Sequence, residues 1–353
     1  MKNDKSPKSF FSKIYNSITN DKNLVKDILA KEDKSIQTID LLFSKFNNVK
    51  FNKLSLSMYL LKNNAEHNFN LSPKQIMAVL DKANMSTVEY NNLTLPMFLL
   101  KYNKENNLNL SQNQIFSIIE KSNLSIQNSN GSTLPMYLLA KNKDQNLNLS
   151  PNQIMSVLEK SELHTQDIRG ETLPIFLLSC NKDQNLNLSP NQIMAVIEKS
   201  DLSIQDYYGY TLPMHITGNN KKQNLNLTPN QIMSIIEKSD LSLQNKIGYT
   251  LPMFLLSFNK EQNLNLSINQ ILTVIEKIDI SLLNNDFITT FFNKFKNNFD
   301  MTDKQLYKTI KSFNNNIKEI NYENQEKINQ IMFFYETKTK LQKKHKRKIS
   351  PKL

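Results

Sequence analysis

The chain has 353 residues and a net charge of +12, and 39% of its residues are hydrophobic. Only 5 glycines and 11 prolines occur, which excludes the collagen-like and disordered chains that are rich in these residues. The single cysteine, Cys180, cannot form an internal disulfide and favours a reducing, cytoplasmic environment. No apolar run is long enough to span a membrane and the first residues are polar, so neither a membrane span nor a secretory signal is expected.

Residues 1–53 are expected to form an N-terminal helical cap or an eroded copy of the repeat that follows. Apolar residues fall on helical faces at Phe10, Phe11, Ile14 and Tyr15, and again at Leu24, Val25, Ile28 and Leu29. Terminal units of a repeat array are usually atypical, so weak similarity here is compatible with either alternative.

A repeat of 39 residues fills residues 54–290. Threonines recur at this interval and each is followed by Leu-Pro: Thr94, Thr133, Thr172, Thr211 and Thr250. A second block, Asn-Leu-Asn-Leu-Ser-Pro-Asn-Gln-Ile-Met, recurs in step with the first, and four of the five glycines share the period. Such self-similarity indicates a stacked array of equal modules.

The first half of one module predicts a short helix and a loop. Thr133 is the expected N-cap, and Pro135 lies in the first turn, where its missing N–H costs nothing. The helix is predicted over 136–141, with apolar residues nearly all round, as expected between two neighbouring modules. In the polar loop that follows, Leu147 and Leu149 are expected to hold the loop against the core.

The second half of the module predicts another helix and a tight turn. Ser150 and Gln153 form a capping box around Pro151. The second helix places its apolar residues on one face: Ile154, Met155, Val157 and Leu158. Gly170 then supplies a positive φ in the turn that leads to the next module. The predicted fold is therefore all-α, a solenoid of stacked helix-pair repeats, with residues 291–337 as a degenerate repeat and helical C-terminal cap.

The module resembles an ankyrin repeat. The resemblance is carried by Asp167-x-x-Gly170-x-Thr172-Leu173-Pro174-Ile175, which is similar to that family's finger turn and helix start, and by the lead Asp201–Asp206 into the next turn. Pro and Leu are exchanged relative to the family motif, and the unit is longer than the usual ankyrin unit of about 33 residues. The alternative is another helix-pair solenoid. The resemblance implies a scaffold that binds protein partners with its finger turns and inner helices.

No motif for catalysis, a cofactor or a metal ion is found, so the chain is predicted not to be an enzyme. His215 occupies a slot that holds an aromatic residue in other modules, namely Phe98, Tyr137, Phe176 and Phe254, and is interpreted as a tolerated substitute. Cys180 is expected to be a small, half-buried residue. The acidic slot of Asp144 also accepts lysine in another module, which favours a solvated loop charge.

The residues that vary while the repeat frame stays constant are the candidates for partner binding. They lie in the finger turns, where tyrosine and arginine, the types enriched at binding hot spots, are concentrated. The predicted partner-binding residues are Arg169, Tyr207, Tyr208, Tyr210, Lys246 and Tyr249. The alternative is neutral drift on a tolerant surface.

The last residues, 338–353, carry eight basic side chains and no acidic one, so the other 337 residues have a net charge of only +4. Weak binding of a polyanion, either nucleic acid or an acidic membrane surface, is the alternative function, through Lys343, Lys344, Lys346, Arg347 and Lys348. A solvated tail explains the same run. The asparagine-rich, tryptophan-free composition is typical of an AT-rich genome and suits a host-directed factor of an intracellular microbe.

Overall fold

A computed structural model describes residues 20–30, 36–275 and 277, together with 294, 297–299, 301, 302 and 305. The chain divides into two compact units, unit 1 (Met1–Leu188) and unit 2 (Ser189–Leu353). Within the described ranges the protein is all-α, with stacked helix pairs and no β-strand, as predicted. None of the described helices is long and apolar enough to cross a membrane. The predicted segment boundaries after residues 53, 290 and 337 stay predictions.

Unit 1 contains nine described α-helices and one short 3-10 helix, Tyr90–Asn92. The α-helices are α1 (20–30), α2 (Ile36–Phe46), α3 (Leu56–Lys62), α4 (Pro73–Asp81), α5 (Leu95–Tyr102), α6 (Gln112–Glu120), α7 (Leu134–Lys141), α8 (Pro151–Glu159) and α9 (Leu173–Cys180). The first helices of successive modules stack in the order α3, α5, α7 and α9, while the second helices α6 and α8 pack on each other. Residues 20–30 are helical as predicted, and Val25 and Ile28 of the predicted apolar face are buried. Leu24, which was predicted on the same face, is exposed. The first predicted face, Phe10 to Tyr15, lies outside the described residues.

Unit 2 contains five helices whose bounds are described, and residues 294, 297, 298 and 305 are also helical. The five helices are α10 (Pro190–Ile197), α11 (Leu212–Asn219), α12 (Pro229–Glu237), α13 (Leu251–Phe258) and α14 (Ile268–Ile275). The first helices α11 and α13 pack on each other, and α13 also packs on α14. Most of the C-terminal cap predicted for 291–337 lies outside the described residues. Thr302 and Gln305 nevertheless form reciprocal cap bonds, from the Thr302 amide to Gln305 Oε1 (2.9 Å) and from the Gln305 amide to Thr302 Oγ1 (3.3 Å).

The capping boxes explain where the second helices begin. The Gln153 amide donates to Ser150 Oγ (3.3 Å) and the Ser150 amide donates to Gln153 Oε1 (3.0 Å), which satisfies two N–H groups that the helix itself leaves unpaired. The same box recurs at Ser72, Ser111, Ser189 and Thr228. The predicted apolar face of α8 is buried at all four positions, so the predicted role of this helix in the core is confirmed.

The loop between the two helices explains much of the asparagine content. Asn146 and Asn148 both adopt left-handed backbone conformations, with φ of 54° and 52°, while Leu147 and Leu149 between and after them are buried. Asparagine tolerates this region better than most side chains. The pair of left-handed asparagines recurs in every module from the one containing Asn68 to the one containing Asn263. The asparagine bias therefore reflects a structural demand in addition to the genomic bias that composition alone indicates.

A second set of asparagines is buried and links successive modules. Asn142 Oδ1 accepts a hydrogen bond from the Leu149 amide (2.9 Å), and its Nδ2 donates to the carbonyl of Gln184 (3.2 Å) in the next loop. In unit 2, Asn220 makes the same bonds to the Leu227 amide (2.9 Å) and the Gln262 carbonyl (3.3 Å). We call this set the asparagine ladder; its members are Asn64, Asn103, Asn142 and Asn220, all buried and each bonded to a carbonyl of the next loop. It was not predicted from the sequence.

Candidate partner-binding site

Four modules project a finger turn whose shape is fixed by one Asp or Asn side chain. In unit 2, Asp206 Oδ1 accepts hydrogen bonds from the amides of Tyr208 and Tyr210, both at 2.9 Å. The turn is closed by the Gly209 amide, which donates to the Asp206 carbonyl (2.9 Å), and Gly209 has a φ of +82°. The same role falls to Asn128, Asp167 and Asn245 in other fingers. The predicted positive φ of the finger glycines is confirmed.

Adjacent fingers within a unit are bonded to each other. In unit 2 the Lys246 amide donates to the Tyr208 carbonyl (2.9 Å), and Gln205 Nε2 bridges the Gly209 carbonyl (2.8 Å) and the Gln244 carbonyl (2.9 Å). The backbones approach so closely that a Cβ added to Gly209 would lie 2.8 Å from the Cα of the next finger's Asn245. The fingers are consequently held by backbone and frame side chains, and their tip side chains are not needed for this geometry.

Four large side chains stand exposed on the two fingers of unit 2. Tyr207, Tyr208 and Ile247 are 60%, 61% and 65% exposed, and Tyr249 is 39% exposed. Lys246 Nζ lies 3.5 Å from the centre of the Tyr207 ring, and the rings of Tyr207 and Tyr208 meet edge to face at 5.3 Å. We call these five residues the aromatic finger surface.

The structure places four of the six predicted partner-binding residues on this surface, while Tyr210 lies beneath it. The Tyr210 ring is partly buried, 5.5 Å from the ring of Phe254 and 5.8 Å from that of His215. Ile247 belongs to the surface but was not among the predicted residues. Its position could have identified it, since Ile247 follows Lys246 in a turn whose tip residues vary between modules.

Arg169 belongs to unit 1, in a finger whose charges are paired with one another. Its guanidinium lies 2.5 Å from Glu171 Oε2 and 3.4 Å from Asp167 Oδ2, and it stacks over the Phe176 ring at 5.6 Å. The exposed hydrophobic residue of this finger is Ile168. Arg169 is thus engaged within its own turn, and its predicted role in partner binding stays a prediction.

His215 has a more specific role than an aromatic substitute. Its Nε2 lies 2.9 Å from Asp206 Oδ2, so it supports the residue that closes the finger. In unit 1 the Tyr137 hydroxyl makes the matching contact, accepting from Asn128 Nδ2 at 3.0 Å. At the third such site Phe254 offers no polar atom, and the buried Nδ2 of Asn245 has no hydrogen-bond partner among the described residues. The sequence contains a signal for this contact, because a His or Tyr follows the Asp or Asn that closes the finger by nine residues.

The contacts of Asp206 affect its titration. Burial by itself raises the pKa of Asp206, but the hydrogen bonds from His215 and from the Tyr210 and Tyr208 amides, together with the charge of His215, outweigh burial and lower the pKa below its usual value. The carboxylate is therefore the stable form at neutral pH, as its role as a double acceptor requires.

Cys180, the single cysteine of the sequence, lies among the described residues. Cys180 ends α9 half-buried, as predicted, and burial together with nearby carboxylates raises the pKa of its thiol to about 11. A thiol with this pKa is protonated at neutral pH and is a poor nucleophile. The described residues hold no group of three or more His, Cys, Asp or Glu side chains arranged for a metal ion. The basic run from Lys343 to Lys348 lies outside the described part of the chain.

Solved structures similar to this chain include an ankyrin repeat protein, EF0377, and an ankyrin repeat domain, ABAYE2397, from Acinetobacter baumannii AYE. Each is 14% identical in sequence and covers 62% of this chain, with 97% of its own length covered, at TM-scores of 0.39 and 0.40. No protein-family model and no curated protein matches the chain. In its glycine finger turn, Thr-Leu-Pro helix start and paired helices, the chain resembles an ankyrin repeat protein with units of 39 residues.

Proposed function

We propose that the chain is a non-enzymatic repeat scaffold that binds a protein partner, and that the aromatic finger surface of unit 2 is the principal contact. The observation that carries this proposal is the exposure of Tyr207, Tyr208 and Ile247, each at least 60%, on two neighbouring turns. Clusters of exposed large apolar side chains are uncommon on soluble proteins without a binding role.

The chemistry of these side chains suits protein recognition. Tyrosine offers a large apolar ring and a hydroxyl at a low cost in conformational entropy, which is why it is enriched at binding hot spots. The rings are presented on turns that Asp206, Gly209 and Gln205 hold in place by hydrogen bonds. A surface that is ordered before binding loses less entropy when the partner docks.

The test is a selection of random peptides displayed on phage against the full-length protein, followed by affinity measurements with variants. Tyr207→Ala combined with Tyr208→Ala is expected to weaken the selected peptides by about thirtyfold, since hot-spot residues contribute about 2 kcal/mol or more. Binding would be measured by biolayer interferometry with the full chain.

The matched control is Ser129→Ala with Asn130→Ala, the same two positions in a finger of unit 1. These substitutions are expected to leave affinity unchanged. Peptides that bind the tyrosine double variant as tightly as the wild type, or a selection that returns no peptide, would contradict the proposal.

A further inference from the structure

The first helix of the fifth module, α11, contains a glycine that packing does not require. Gly218 lies near the end of α11, and a Cβ added there would meet no atom of the described residues within 4 Å. Equivalent positions in other modules hold Ala140, Ser179 and Ser257. Glycine in a helix is less stable than alanine, so a glycine without a steric reason inside the protein points to close approach by a second molecule.

A row of rings borders the helix face that carries Gly218. His215 lies one turn earlier on α11, and its ring is 5.8 Å from that of Tyr210. The row continues from Tyr210 to Phe254 at 5.5 Å and from Phe254 to Phe258 at 5.7 Å on the adjacent helix α13. These rings connect the aromatic finger surface to the two first helices of unit 2. The open space at Gly218 therefore adjoins an apolar, aromatic surface.

The charges of unit 2 are segregated between its elements. Four cations lie in the fingers, in α11 and α13, and in the loops 220–227 and 259–266. They are Lys221, Lys222, Lys246 and Lys260. In these same elements one carboxylate is exposed, that of Glu261, since Asp206 is buried against His215. Negative charge is in excess in the second helices α10 and α12 and in the segments that follow them. There the carboxylates of Glu198, Asp201, Glu237 and Asp240 outnumber the cations of Lys199 and Lys238.

From these observations we infer that the partner segment is an acidic peptide bearing apolar side chains, bound over α11 and α13 with its backbone close to Gly218. Its apolar side chains pack on Tyr210, Phe258 and the finger tyrosines, and its carboxylates face Lys246 and the loop lysines. Complementary charge selects the partner and speeds association, while the apolar contacts supply most of the affinity. This inference rests on the proposed function and specifies the partner's chemistry.

The experiment uses the full chain with the tail charges removed by Lys343→Gln, Lys344→Gln, Lys346→Gln, Arg347→Gln and Lys348→Gln, so that the tail cannot attract acidic peptides. Three sets of fluorescein-labelled synthetic peptides of equal length serve as probes, and binding is measured by fluorescence anisotropy. The first set alternates Asp or Glu with Leu, Ile or Phe. The second replaces every acid with Lys, and the third replaces every apolar residue with Ser.

The acidic, apolar set is expected to bind about tenfold or more tightly than either other set, because both charge and apolar contact contribute. Gly218→Leu is expected to weaken this binding by about tenfold without lowering the helical circular dichroism or the melting temperature, since leucine is the better helix former. Ala140→Leu, at the matching position of unit 1, is the control and should leave the affinity unchanged.

Equal or tighter binding of the basic set, an unaltered affinity in Gly218→Leu, or the absence of binding by all three sets would overturn the inference. These outcomes are separable from failure of the proposed function. If phage-selected peptides still lose affinity in the Tyr207→Ala and Tyr208→Ala variant, the finger surface binds a partner and only its acidic character is wrong.

Discussion

The finger turns of the two units share one frame and carry different tips. In unit 1, Asp167 closes a turn whose tip charges, Arg169 and Glu171, are paired with each other. In unit 2, Asp206 closes a turn of the same hydrogen-bond pattern whose tip residues, Tyr207 and Tyr208, are exposed rings. The geometry of the turn is therefore independent of the side chains at its tip, so these side chains can differ between modules without loss of the fold.

The largest expected effect concerns the asparagine ladder, which both units share. Asn142→Ala in unit 1 and Asn220→Ala in unit 2 each leave a buried leucine amide and the next loop's carbonyl without a partner. Each should lower the free energy of unfolding by about 3 kcal/mol, as expected for several unsatisfied buried groups. Urea denaturation followed by circular dichroism measures this, with exposed Asn230→Ala as a nearly neutral control. A large effect in one unit and none in the other would show that the frame is not common to both.

A smaller loss is expected at the finger glycines. Gly209→Ala places a Cβ 2.8 Å from the Asn245 Cα and forces a positive φ on alanine, while Gly131→Ala meets the Asp167 Cα at 2.9 Å. Each should cost about 2 kcal/mol of unfolding free energy. Gly218→Ala is the contrasting case, because it meets nothing and should raise stability by about 0.5 to 1 kcal/mol. Equal changes in the free energy of unfolding for Gly209→Ala and Gly218→Ala would show that the close backbone contact at Gly209 does not determine the cost.

The next comparison concerns the residue that supports each finger. Tyr137→Phe in unit 1 removes the hydroxyl that accepts from Asn128 and should lower stability by about 1 kcal/mol. Phe254→Tyr in unit 2 supplies a hydroxyl to the side-chain Nδ2 of Asn245, which has no partner among the described residues, and should raise stability by about 0.5 to 1 kcal/mol. In thermal melts we expect the melting temperature to fall in Tyr137→Phe and to rise in Phe254→Tyr. A lower melting temperature in Phe254→Tyr would show that the space beside Asn245 cannot hold the hydroxyl.

The smallest effect is a pH dependence specific to the unit 2 finger. Because the pKa of Asp206 is lowered in the folded state, its contribution to stability is present above the usual aspartate pKa of about 4 and is lost as the pH falls through the lowered value. Asp206→Asn, which keeps the acceptor found naturally at Asn128 and Asn245, should weaken this acid dependence. Urea unfolding across acidic pH compares the variant with the wild type, and an identical slope in both would assign the acid dependence to other groups.

The repeat frame was predictable because its signals are local and periodic. The capping box of Ser150 and Gln153, the buried Leu147 and Leu149, and the positive φ of Gly170 all follow from residue types at fixed spacing. The asparagine ladder was not predictable, because Asn142 bonds to a residue 42 positions away in a chain where asparagine is common. Spacing alone does not reveal such a partner.

The candidate site was predictable in part for a similar reason. Variation among modules singled out Tyr207 and Tyr208, and both side chains are exposed; their role in partner binding stays a prediction. It did not show that Tyr210 turns inward onto Phe254, since the direction of a side chain in a turn depends on the neighbouring module. Nor did it show that Arg169 is engaged by its own finger, because that depends on the three-dimensional shape of the turn.

The central claim is that the aromatic finger surface of unit 2 is where the partner binds. Hydrogen–deuterium exchange of the full chain, with and without the tightest selected peptide, tests this most directly. The account predicts slower exchange in the fingers 205–211 and 244–250 and in α11 and α13, with the unit 1 fingers 127–133 and 166–172 unchanged. Protection confined to the unit 1 fingers or to the basic tail from residue 338 onward would contradict it.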